Sequence, residues 1–273
     1  MFKSFFRAIL VTIKSVYKSY VGPILASIKS ENENSKYYSG LPKTQFNKDG
    51  LIIIDNFLSE SECDDLVELG KTKIEENVKS GLIADDVYLN IRADTEDGID
   101  TKVKQIFNFD KLSDKLGDEF MNKLSNTFEE NLGEGVVIKT CTLQVDDPDT
   151  NTKRSWHTDK NPPPNFKAFV YLTDVQNEQQ GPYCAIKGSH RWKYRRIINV
   201  IINVITKSPK LTDMHYVVGN RNDYYLAKKG TLVLSTQTLF HRGSPMHSEK
   251  TRFMLITYIN SKTYDNGKPL KFW

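Results

Sequence analysis

The sequence predicts a mainly β chain, an antiparallel sandwich or barrel with flanking helices. Three observations carry that expectation. After Gly135 the pattern shifts to short runs rich in β-branched residues, at Val136–Val145, Phe166–Thr173, Thr231–Thr236 and Arg252–Asn260. Turns rather than regular helices separate these runs, which argues against a doubly wound parallel sheet. A length of 273 residues suits one decorated all-β domain.

Composition removes several functional classes. Hydrophobic residues make up 38% and aromatics 11% of the chain, enough for a real core. The net charge of +4 comes from lysines spread along the whole chain. Nucleic-acid binding needs a concentrated basic stripe, so no nucleic-acid partner is expected. Cys63, Cys141 and Cys184 lie far apart with no CxxC pair. That spacing points to a reducing, cytoplasmic setting and away from a disulfide scaffold or a zinc ribbon.

Residues 1–30 read as a basic amphipathic helix. Phe2, Phe6, Ile9, Ile13, Val16 and Tyr20 recur at helical spacing, while Lys3, Arg7, Lys14 and Lys18 fall on another face. The charges interrupt any membrane-spanning run, and no convincing secretory cleavage site follows. Three readings stand beside one another: a helix in an anionic membrane interface, an organelle transit peptide, or a helix packing its apolar stripe on the main domain. Residues 31–43 are polar and aperiodic, as a linker would be, and 44–273 are expected to form a single domain. Leu51–Ile54 predicts a buried strand. Ser59 with Glu62 forms a capping box before the helical pattern Cys63, Leu66, Val67, Leu69, Ile74. Helix and loop signals mix from there to Gly133, with a helix expected over Leu112–Leu132. Residues 191–230 form an insertion between strands, a candidate lid or substrate wall.

The chemistry concentrates in Trp156-His157-Thr158-Asp159. Residues i and i+2 of an extended strand share a face, so one imidazole and one carboxylate can reach a single ion. The best third ligand is His241, in Leu239-Phe240-His241-Arg242-Gly243. Two histidines and a carboxylate make the three-sided face that holds non-haem Fe(II) with positions left open. Arg252 begins the following strand, and a hairpin centred near Met246 and His247 would set it opposite His241 on one face. A guanidinium there suits a dicarboxylate.

With these residues in place, the chain resembles the phytanoyl-CoA dioxygenase family of Fe(II)/2-oxoglutarate oxygenases. The similarity runs from Leu51 to Asn260, through IIIDNFLSESEC, WHTD, YLTDV, GPYCAIKGSH and GTLVLSTQTLFHRGSP, to the arginine eleven residues past the distal histidine. The resemblance implies a double-stranded β-helix (a cupin-like jelly roll) wrapped by helices. It implies His157, Asp159 and His241 as iron ligands, Arg252 on the distal carboxylate of 2-oxoglutarate, and Gln144 as a residue helping to seat that cosubstrate. With O2, such a site hydroxylates an unactivated C–H bond of a small molecule and releases succinate and CO2. Gly181 and Gly188-Ser189-His190 match a loop signature near the site, so His190 is read as structural, while His215 and His247 match no site position. Several relatives carry a small polar residue two places after the distal histidine. Gly243 stands there and Ser244 follows, which leaves open the hydroxyl that assists 2-oxoglutarate. Halogenating relatives replace the ligand carboxylate by a small residue, so Asp159 favours hydroxylation. Substrate walls are expected from Lys160–Asn165, with Pro162-Pro163-Pro164, and from 191–230. The basic start of that insertion (Arg191, Lys193, Arg195, Arg196) fits either an anionic substrate or a solvated face.

Two other classes compete. One is a catalytically silent jelly-roll protein tethered to a membrane through residues 1–30; the intact triad with Arg252 counts against it. The other is a zinc hydrolase on the same face, which lacks an evident general base.

Overall fold

The structure, a computed structural model, describes residues 11–265 and 267, apart from 13, 78, 93–94, 97–98, 101–102, 149–154, 160–164, 209, 215–217, 219–222 and 245. The helices among the described residues include α1 (Gly22–Gly40), α2 (Gln45–Asp49), α3 (Glu60–Glu75), α4 (Asp118–Leu132) and α5 (Lys193–Ile205). The strands begin with β1 (Leu51–Ile54), β2 (Gly81–Ala84), β3 (Val87–Arg92), β4 (Thr95–Glu96), β5 (Ile99–Asp100) and β6 (Val103–Phe107). They continue with β7 (Val136–Asp146), β8 (Asn165–Tyr171), β9 (Tyr183–Ala185), β10 (Tyr224–Tyr225), β11 (Leu232–Thr236), β12 (His241–Gly243) and β13 (Arg252–Ser261).

An eight-stranded antiparallel sheet runs β1-β11-β8-β13-β7-β6-β3-β2, and a three-stranded sheet runs β10-β9-β12. This is the mainly β, antiparallel class that the runs after Gly135 predict, and the jelly roll that the family resemblance implies. Strand alternation explains how the large sheet is buried on both faces. Phe253 and Leu255 of β13, with Phe166, Ala168 and Val170 of β8, join the core cluster that includes Leu66 of α3 and Phe120, Leu124 and Phe128 of α4. Their neighbours Met254, Ile256, Phe169 and Tyr171 turn the other way, into a second cluster with Tyr183, Ala185 and Tyr225 of the small sheet. The inner faces of the two sheets therefore share a core, and the functional side chains project into it.

The helices have local causes. Ser59 and Glu62 form both halves of the capping box, with Glu62 N donating to Ser59 Oγ and Ser59 N donating to Glu62 Oε2 at 2.7 Å. α4 buries Phe120, Leu124, Phe128 and Leu132 at four-residue spacing and stops at Gly133, whose φ of 84° is left-handed.

Four expectations need correction. Residues 31–40 are not a linker but the second half of α1, which buries Glu31, Asn34, Tyr37 and Tyr38. That buried face is largely polar, so a hydropathy pattern passes over it. The mixed stretch before Gly133 contains β2, β3 and β6, which extend the large sheet beyond β7. His241 and Arg252 do not face each other across a hairpin. β12 pairs with β9 in the small sheet, while β13 pairs with β7 and β8 in the large one. The insertion is no detached lid over its described length. α5 packs on α1, β10 completes the small sheet, and Thr212 and Met214 bond the backbone of Thr158 and Trp156.

Residues 1–10 lie outside the described residues, as do Lys160 and Pro162-Pro163-Pro164, and His215. Of the predicted N-terminal stripe, Val16 and Tyr20 are exposed rather than packed on the domain. Among the described residues no helix is long and apolar enough to cross a membrane.

Candidate metal centre

The segment Trp156–Asp159 is extended and held by neighbours on both sides. His157 and His241 exchange backbone hydrogen bonds, His157 N to His241 O at 3.0 Å and His241 N to His157 O at 2.9 Å. That isolated antiparallel bridge puts both side chains on one face, with ring centroids 4.4 Å apart. Asp159 N donates to Gln237 O at 3.1 Å, carrying the pairing two residues on. The i, i+2 spacing then returns the Asp159 carboxylate to the imidazole side.

The three side chains converge. One ligand atom from each of His157, Asp159 and His241 lies within 4.8 Å of the others. His157 Nε2 is 3.6 Å and His241 Nε2 3.8 Å from Asp159 Oδ1. The opposite ring nitrogens are fixed by backbone carbonyls: His157 Nδ1 lies 2.8 Å from Ser155 O and His241 Nδ1 2.9 Å from Leu239 O. A carbonyl only accepts, so each Nδ1 carries the proton and each Nε2 presents a lone pair toward the shared space. This donor set fits a non-haem iron: two imidazole nitrogens and one carboxylate oxygen around a common point.

Asp159 divides its oxygens. Oδ1 faces the imidazoles, and Oδ2 accepts from Lys167 Nζ at 2.7 Å. Burial alone would raise the carboxyl pKa. The Lys167 ammonium overrides it and holds Asp159 below the usual carboxylate range. Lys167 lies on β8 beside Phe169 and Tyr171 on the inward face, and its ammonium sits over the Tyr258 ring at 5.1 Å. A strand lysine carries no motif, so nothing in the sequence singled it out.

Arg252 begins β13 on the same inward face as Met254 and Ile256. It is not an open fork. Its Nε and Nη2 both donate to Asp146 Oδ2, at 3.0 and 2.6 Å, and both partners are buried. Register explains the pairing, since Arg252 lies opposite Asp146. A guanidinium has five N–H groups, so the Nη1 end and one Nη2 hydrogen remain for a ligand. Gly181 approaches that end: a Cβ there would stand 3.0 Å from Arg252 Nη1, and its φ of 69° already favours glycine.

Gln144 lies two residues before Asp146 on the same face. Its Nε2 donates to Asp146 Oδ1 at 3.1 Å, and its Oε1 accepts from Gln105 Nε2 at 3.1 Å. Gln144, Asp146 and Arg252 thus form one network, of which the sequence reading held only the ends. Asp146 could have been found from strand register alone. The hydroxyl left open after His241 is not supplied by Ser244, which is buried on the other face of the small sheet against Cys184 Sγ at 3.1 Å. An inward-facing hydroxyl pair does exist, Tyr183 with Ser235 at 2.8 Å, and the Tyr183 ring lies 5.9 Å from that of His241. His190 is structural as expected, its Nε2 on Asn47 O at 3.1 Å, and His247 is exposed.

Comparison with known proteins agrees with this architecture. The profile of the phytanoyl-CoA dioxygenase family matches residues 46–254. No curated protein sequence matches the chain. Among solved structures, AviO1 from Streptomyces viridochromogenes Tue57 is similar at 18% identity and a TM-score of 0.58, covering 83% of this chain and 94% of its own. SnoK, a non-haem α-ketoglutarate-dependent carbocyclase from nogalamycin biosynthesis, is similar at 14% and 0.57, covering 86% and 96%. HygX from Streptomyces hygroscopicus, solved with nickel and 2-oxoglutarate bound, is similar at 14% and 0.51, covering 82% and 88%. At these identities the likeness establishes a shared fold.

Proposed function

The chain belongs to the phytanoyl-CoA dioxygenase family, a family of Fe(II)/2-oxoglutarate-dependent oxygenases, and from that premise we propose that it hydroxylates an unactivated C–H bond of a small molecule. His157, Asp159 and His241 would hold the iron, and Arg252 the distal carboxylate of 2-oxoglutarate. The observation that carries the reading is the convergence of both histidine Nε2 atoms on one oxygen of Asp159, with each Nδ1 fixed on a backbone carbonyl.

Iron held by these residues would supply, with 2-oxoglutarate and O2, the oxidising chemistry whose co-products are succinate and CO2. The chain's own residues position and shield. The two carbonyls lock both imidazoles in the ligating tautomer. Lys167 holds Asp159 ionised and turned so that Oδ1 faces the shared space. Asp146 grips Arg252 from its Nε side and aims the remaining donors, and Gln144 steadies Asp146. Retention of Asp159 supports hydroxylation over halogenation, since the carboxylate occupies the position a halide would need. SnoK, named a carbocyclase, does other oxidative chemistry on this fold; product mass separates the outcomes, because hydroxylation adds an oxygen atom and ring closure removes hydrogen.

Anaerobic titration with Fe(II) and 2-oxoglutarate tests the assignment. A weak visible charge-transfer band is expected, followed by succinate on admission of air, with both lost in His157→Ala and His241→Ala. A well-folded chain giving neither band nor succinate would overturn the reading.

A further inference from the structure

A second recess lies apart from the metal centre. It is a cavity of about 440 Å³ between the end of α1, the start of α2 and the start of α5, within the roughly 300–1,000 Å³ of small-molecule sites. Lys43, Lys48, Arg191 and Lys193 line it, and no carboxylate does. None of the four has an ion-pair partner among the described residues. Its buried lining is already committed. Tyr38 bonds Thr236 and Thr238, and His190 bonds Asn47 O through Nε2, its Nδ1 lying under Gly50 without a bonded partner among the described residues. Arg196 bonds Glu31 at 2.7 Å together with the carbonyls of Ser189, His190 and Thr238. The outer positive charge of the cavity therefore sits on these four cations, of which Lys193 also feels the Glu31 carboxylate. A pocket lined this way carries a positive potential, concentrates anions from solution and matches a tetrahedral oxyanion carrying several acceptors.

The cavity and the metal centre flank one chain segment. On one side, Thr236 and Thr238 meet Tyr38; on the other, Gln237 O accepts from Asp159 N and His241 joins the triad. No residue of the triad lines the cavity.

We propose that this cavity is a phosphate-binding site, taking a phosphorylated ligand at a place distinct from the metal centre. Phosphate could arrive on a soluble molecule or on a lipid headgroup. The surroundings suit the second source as well, since Tyr194 beside Lys193, Ile198 and Ile205 are exposed along α5, as are Val21 and Leu25 on or next to α1. The proposal stands independently of the oxygenase assignment.

The full chain is titrated with inorganic phosphate, ionic strength being held constant with chloride, and is sedimented with vesicles of phosphatidylcholine alone or with added phosphatidic acid. Two double variants are compared with the parent: Lys43→Ser with Arg191→Ser at the cavity, and Lys71→Ser with Lys73→Ser on α3 as a charge-matched control. All four side chains are on the surface or partly so, so both proteins should fold. Saturable phosphate binding that weakens at least roughly tenfold in the cavity variant only supports the site. Phosphate binding without vesicle binding assigns a soluble source. Cavity-dependent binding to phosphatidic acid vesicles, competed by phosphate, assigns a headgroup. Absence of saturable binding to either probe, or equal loss in both variants, overturns the proposal.

Discussion

Lys167 shows how much of a site can hide in an ordinary residue. His157 and Asp159 are legible because their spacing has chemical meaning on a strand, and His241 and Arg252 because a motif surrounds each. Lys167 offers only an inward position on β8, and its partner is fixed by tertiary structure. Holding Asp159 Oδ2 at 2.7 Å, it should act on metal affinity through carboxylate orientation. Lys167→Met is expected to weaken Fe(II) binding about 10–100-fold, the usual cost of losing a partner of a ligating group. Competition with a colorimetric chelator reads this directly, and unchanged affinity would show that Asp159 orients itself. Asp146 makes a parallel case from the other end of the inner face. It is fully buried and accepts two bonds from Arg252. Asp146→Ala would leave a buried guanidinium without its counter-charge, and urea unfolding should show a loss of about 3–5 kcal/mol. A loss below ~1 kcal/mol would mean that water reaches Arg252 and replaces the carboxylate.

Among the elements, α1 and the β12–β13 connection mark where local reading fails. The second half of α1 looks like a linker because its buried stripe is Glu31, Asn34, Tyr37 and Tyr38 rather than aliphatic. What makes that stripe buriable is Arg196 on α5, whose Nε meets Glu31 Oε2 at 2.7 Å. Burial raises the Glu31 pKa, and Arg196 opposes that rise. The basic start of α5 therefore contains two kinds of residue that sequence cannot separate: Arg196 turned inward as a structural partner, and Arg191 and Arg195 exposed. Arg196→Ala should strip three carbonyls and Glu31 of their donor and detach α1 from α5. About 3–5 kcal/mol of stability is at stake, with α1 amides exchanging faster than those of β13. Uniform exchange changes across both elements would contradict this local docking role. The misplaced hairpin has a different cause. Adjacent strands in a jelly roll commonly pass to the opposite sheet, so proximity in sequence gave β12 and β13 the wrong partners. The inward direction of His241 and Arg252 survived, because alternation fixes facing without fixing pairing.

For the molecule as a whole, the class was legible where strands are long and β-branched, as in β7 and β13, and obscure where they are short and set among helix and turn signals, as in β2 and β3. α1, α2 and the turn into β1 meet at His190, which makes one global property predictable. His190 is almost fully buried and its Nε2 bonds Asn47 O at 3.1 Å. A Cβ on Gly50 would stand 2.5 Å from its Nδ1, and Gly50 has a φ of 78°. The ring is thus wedged under the α2–β1 turn. Burial is the main force on its titration; Arg191 and Arg196 add to it, while the Asn47 bond and Asp49 oppose it. Together they push its pKa from 6.5 down to about 4. The folded state therefore favours neutral His190, while the unfolded chain takes up a proton near 6.5. Stability from this group is complete above that pH. It declines as the pH falls from 6.5 toward 4 and stops declining below, for a total on the order of 3 kcal/mol. His190→Gln keeps a nitrogen donor within reach of Asn47 O but cannot titrate. Urea unfolding at about pH 7.5 and about pH 4.5 should show the parent losing more stability on acidification than the variant, all other titrating groups being shared. Equal losses in the two proteins would mean that protonated His190 is accommodated in the fold, and that the wedge opens without unfolding the domain.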